Sequence, residues 1–111
     1  MQVSGSHLES FSSWLCFHED DIIGYPGMCF HSPLARWLSE VTGHTYGVDG
    51  SVYGRGSSAM CQWRILPRWA VMFQDRIEIA AFRPMTGGDA LDVLARVEMT
   101  LTTLRMQHRA A

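Results

Sequence analysis

The stretch "SPLARWLSEVTG", Ser32 to Gly43, leaves the backbone few choices and sets the class of the chain. Ser32 can accept a hydrogen bond from a first helical turn, Pro33 suits the first helical position, where its missing N–H costs nothing, and Gly43 suits the left-handed residue that ends a helix. Leu34, Trp37, Leu38 and Val41 recur at three- and four-residue steps. A helix over 33–42 therefore has one apolar face and needs a covering layer.

Three other segments share the period. Leu8, Phe11, Leu15, His18 and Ile22 predict a helix over 6–18. It should stop before Glu19-Asp20-Asp21, because carboxylates are disfavoured at a helix C-terminus and the turn signal "GYPG" follows; residues 19–31 then read as a connecting loop. Leu66, Trp69, Ala70, Phe73, Ile77, Ala80 and Ala81 predict a helix over 67–81, opened by Pro67 and barred from continuing by Pro84. A last helix over 88–105 follows "MTGGD", where Thr86 and Asp89 approximate a capping box. Its buried face reads Ala90, Val93, Leu94, Val97, Leu101 and Leu104, with Asp92 and Arg96 as an i,i+4 pair on the far side. The tail "RMQHRAA" complements the helix dipole and is expected to fray.

Between Gly43 and Leu66 the period changes to two. Asp49-Gly50 is a two-residue hairpin signal that places Tyr46 opposite Tyr53. Cys61, Trp63 and Ile65 alternate with Gln62 and Arg64, the pattern of a half-buried strand. The expected fold is a single compact domain over 1–111, a predominantly helical α+β architecture of four helices. A short antiparallel sheet over 44–65 lies between helices 2 and 3.

Composition agrees. With 111 residues, 47% hydrophobic and 18% charged, the chain can bury one core without metals or disulfides as staples. No apolar run reaches the roughly 20 residues that cross a bilayer. Three cysteines, an odd number, point to thiols, a reducing compartment and a cytoplasmic location. A net charge of −2 gives no general pull toward a phosphate backbone. All nine basic residues are arginine, and lysine and asparagine are absent, which a GC-rich coding sequence explains without a selected binding surface.

Several chemistries can be weighed against these residues. The twin tripeptides Cys16-Phe17-His18 and Cys29-Phe30-His31 suggest zinc, with His44 or Cys61 completing a set. Cys-x-His is not a common zinc spacing, however, and on a helix Cys16 and His18 diverge, so no metal is expected. A cysteine nucleophile is disfavoured because Glu19, Asp20 and Asp21 would raise the pKa of Cys16, and Cys61 sits in an apolar strand pattern. "GVDGSVYGRGSS" lacks the Gly-Lys-Ser/Thr ending of a phosphate loop. Arg55, Arg64, Arg68 and Arg76, interleaved with Tyr53, Trp63 and Trp69, are the elements of an RNA- or single-stranded-DNA-binding module, diluted by Asp75 and Glu78.

Surplus apolar surface is the stronger signal. Arg68, Met72, Asp75 and Ile79 form a second stripe on the third helix, away from its core stripe. The 19–31 loop adds Ile22, Ile23, Tyr25, Met28 and Phe30. Apolar patches rimmed by arginine mark partner or self-association surfaces. The expected function is a small non-enzymatic protein-binding module, accessory, regulatory or inhibitory, with no catalytic residue and no cofactor. Arg68, Met72, Arg76, Ile79, Tyr25, Met28 and Phe30 are its expected contacts, made to another protein or to a second copy. Zinc binding and nucleic-acid binding are the alternatives.

Overall fold

The computed structural model describes residues 2–56, 62–79 and 83–110, with side chains given as far as Gln107. A 3₁₀ turn, Gly5–His7, runs into α1 (Leu8–Phe17). β1 (Ile22–Gly24) and α2 (Pro33–Thr42) follow, then β2 (Tyr46–Asp49), β3 (Val52–Arg55) and β4 (Arg64–Ile65). α3 (Arg68–Glu78), β5 (Met85–Thr86) and α4 (Gly87–Ala110) complete the described elements. The mostly helical α+β class is as the sequence predicts, with four helices and an antiparallel sheet between the second and third.

The local signals at α2 and α4 act as read. Ser32 Oγ accepts from Ala35 N, Pro33 opens α2, and Gly43 closes it at φ 74°. At α4 the capping box is reciprocal: Thr86 N donates to Asp89 Oδ2 at 3.2 Å and Asp89 N donates to Thr86 Oγ1 at 3.1 Å. Two orphan donors are thereby satisfied.

Four expectations need correction. The connecting loop contains β1, which pairs antiparallel with β5 and so ties residues 22–24 to the start of α4. The hairpin register is two residues off: Tyr46 pairs with Arg55 and Val48 with Tyr53. The turn is Gly50-Ser51, with Gly50 at φ 58° in its first central position, where hairpin turns require a positive φ. Tyr46 and Tyr53 are consequently diagonal neighbours on one face, ring centroids 6.4 Å apart. β4 is a two-residue edge strand whose Ile65 is 80% exposed, because none of the described residues covers that end of the sheet. Finally, the bounds of two helices differ: α3 spans Arg68–Glu78, with Pro67 as its N-cap, against the expected 67–81, and α4 runs to Ala110, past the expected end at 105. Cys61, Ala80 and Ala81 lie outside the described residues.

The core centres on Phe11. Its ring lies 5.2 Å from Trp37, 5.7 Å from Trp69 and 5.1 Å, edge-on, from Phe73. Side chains from α1, α2 and α3 thus meet around one aromatic hub, and such pairs add about 0.5–1.5 kcal/mol each beyond area burial. Ala90, Leu94 and Val97 of α4 are fully buried against them. The N-terminal segment is fastened across the core's edge: Val3 N donates to Tyr53 Oη at 2.8 Å, and Trp69 Nε1 donates to Ser4 O at 3.0 Å.

Candidate functional site

Helix lengths decide where the core runs out. At about 1.5 Å per residue, the 24 residues of α4 span about 36 Å, whereas the 10 of α1 and 11 of α3 span about 15–17 Å. The apolar row of α4 outlasts its cover. Leu94 and Val97 are buried, Leu101 is half-buried, and Leu104 is 37% exposed.

An open groove lies where the cover ends, with a cavity volume of about 630 Å³. Leu8, Pro67, Trp69, Leu101 and Leu104 supply its apolar lining, Gly5 lies beside them, and Arg68 and Arg105, both exposed, supply its charge. Among the described residues no carboxylate lines it. Three elements therefore converge: the turn into α1, the first turn of α3, and the overhanging half of α4. The Trp69–Ser4 hydrogen bond holds the first two together.

The local field is positive for a second reason. α3 has Pro67 as its N-cap residue, no side-chain cap and no acidic residue in its first turn. The positive end of its dipole adds to the two guanidinium charges. On a chain of net charge −2, the groove is a basic, apolar exception.

The structure redistributes the seven expected contact residues. Arg68 lines the groove. Met72 does not lie away from the core; it is partly buried and packs against it. Arg76 turns to α4, with Nη2 donating to Thr100 Oγ1 at 3.3 Å. Ile79 is 87% exposed just past the end of α3. Tyr25 and Met28 are about two-fifths exposed, at 40% and 41%, in a turn closed by Tyr25 N donating to His31 O. Phe30 is half-buried against Gly47 of β2. Hence Tyr25, Met28 and Phe30 are not part of the surface that Arg68 serves.

Leu8, Leu101, Leu104 and Arg105 line the groove although sequence reasoning does not single them out as site residues. A signal exists in the length of the last helix, since the predicted 88–105 outruns every predicted partner helix and its three- and four-residue row continues nearly to its end. Periodicity alone assigns that whole row to the core.

His18, His44 and Cys29 have separate neighbours. His18 Nδ1 lies 3.0 Å from Asp21 Oδ2 and its Nε2 lies 3.8 Å from Glu40 Oε1, with the Trp14 ring 4.9 Å away. His44 Nδ1 lies 3.0 Å from Arg55 Nη2. Cys29 stands beside Gly47 with its carbonyl accepting from Val48 N. Among the described residues no three His, Cys, Asp or Glu side chains converge on a point. Of the aromatic rings considered for base stacking, Tyr53 and Trp69 are buried and hydrogen-bonded, and Trp63 is 40% exposed.

No helix among the described residues is long and apolar enough to cross a membrane. Comparison with protein-family models, curated proteins and solved structures gave no match to this chain.

Proposed function

We propose that this chain is a small non-enzymatic protein-binding module, accessory or regulatory in role, whose docking surface is the Arg68–Arg105 groove. One observation carries the reading: the apolar row of α4 runs from half-buried Leu101 at the core's edge to Leu104, 37% exposed, and is met there by two exposed arginines and, among the described residues, no carboxylate. Apolar anchors beside arginine are the composition of binding hot spots, where the guanidinium fixes orientation through paired hydrogen bonds and the aliphatic side chains provide desolvation. Cys16 and Cys29 are thiols, which suits a reducing compartment such as the cytoplasm.

The test is a photo-crosslinking side chain placed at Leu104 in the producing cell, with the same side chain at exposed Asp92 as control. A specific adduct at position 104 that the R68E/R105E variant loses supports the module. Equal labelling at both positions, or labelling indifferent to the two arginines, rejects it.

A further inference from the structure

We infer that the occupant of the groove is an acidic amphipathic helix of another protein, laid along the overhanging half of α4 with its carboxylates at Arg68 and Arg105. This rests on reading the groove as a protein-docking site and adds the partner's shape and charge.

Shape follows from how the inner half of the same row is covered. Leu94 and Val97 are buried in the body of the protein, where α4 packs on α1 and α3. Leu101 and Leu104 continue that row at steps of four and three residues. Side chains spaced in this way present ridges and grooves that another helix fills most completely, using anchors at the same period. The 630 Å³ of open volume accommodates several apolar side chains at once.

Charge selects among helices. Arg68, Arg105 and the positive end of the α3 dipole all favour an anionic occupant. From Met99 to Gln107 the chain carries Arg105 and no acidic residue. A second copy docking by a two-fold axis would therefore bring two further arginines into the same groove, and like charges disfavour that pairing. The carboxylates of the chain's own acidic triplet are exposed, but its backbone is pinned at the opposite end of α4, where Glu19 O and Asp21 O accept from Gly88 N and Gly87 N, so the triplet does not reach the groove. The occupant comes from another protein.

Fluorescence anisotropy on the full chain tests this with three labelled peptides of roughly 15 residues, long enough to hold some helix. One carries a leucine row at three- and four-residue spacing with glutamates elsewhere, one replaces every glutamate by lysine, and one keeps the glutamates but scrambles the row. The first should bind about tenfold tighter than either of the others. It should lose about tenfold with R68E/R105E, which should then prefer the lysine peptide. L104D should weaken binding, and L104A serves the same purpose should the aspartate disturb folding.

Equal binding of the glutamate and lysine peptides, indifference to R68E/R105E, or no saturable binding of any peptide overturns the inference. So does a concentration-dependent dimer in light scattering that L104D breaks. A crosslinked partner that meets Leu104 through a basic or extended segment would overturn this inference while leaving the module standing. Absence of any specific crosslink would remove the module itself.

Discussion

Gly87 sits directly against the end of α1: its N–H donates to His18 O at 3.1 Å, and the place where a β-carbon would stand is already filled by the carbonyl oxygens of His18 and Leu15. This contact sets how closely α4 enters the core, and with it the direction in which the overhang leaves. Gly87→Ala should cost about 2–3 kcal/mol in urea denaturation, since backbone rather than a flexible side chain would have to move. Gly5→Ala, with none of the described residues within 4 Å of the added carbon, should be neutral or slightly stabilising. Equal effects of the two would mean that the approach is not tight.

The Thr86–Asp89 box should behave as a coupled pair. Thr86→Ala and Asp89→Ala are each expected to cost about 1 kcal/mol, and the double variant less than their sum, because each residue satisfies a donor of the other. Strict additivity in a double-mutant cycle would contradict reciprocal capping.

Tyr53 fastens the segment that leads into the groove. Tyr53→Phe leaves buried Val3 N without its acceptor, a loss of about 1–3 kcal/mol. Exchange of the Val3 amide should accelerate more than that of amides in α2. Binding of the acidic peptide should weaken as well, because Gly5 and Leu8 follow directly in the chain.

Gln74 should be a site where stability can be gained. It is only 2% exposed, its Nε2 makes a long 3.3 Å bond to Glu78, and its Oε1 is buried without a partner among the described residues. Gln74→Met keeps the volume and removes the unsatisfied acceptor, so the melting temperature should rise by about 4 °C, corresponding to roughly 1 kcal/mol. Gln74→Glu should lower it by burying a charge. A fall with methionine would show that the amide has a partner that matters.

The twin tripeptides should not make the fold metal-dependent. His18 faces Asp21 and Glu40, while Cys29 lies against β2. Adding zinc or a chelator should leave the circular dichroism spectrum and melting temperature unchanged. Unfolding on chelation would restore the zinc reading.

The secondary-structure elements are legible along the chain. Ser32, Pro33 and Gly43 bound α2, Thr86 and Asp89 open α4, and three- and four-residue periodicity picks out Phe11, Leu15, Trp37, Phe73 and Leu94 for the core. These are local decisions, made by backbone chemistry and by the need of an apolar stripe to leave water. What a stripe meets is not local. The pairing of β1 with β5 joins segments about sixty residues apart in sequence, and no periodicity announces it. Met72 and Leu104 mark the same limit from opposite sides. Met72 lies off the apolar stripe of its helix yet packs against the core, whereas Leu104 continues a core stripe and is left partly exposed. Their burial depends on where neighbouring helices begin and end. That relationship exists once the helices have packed, and it is what gathers Leu101, Leu104, Arg68 and Arg105 into one groove.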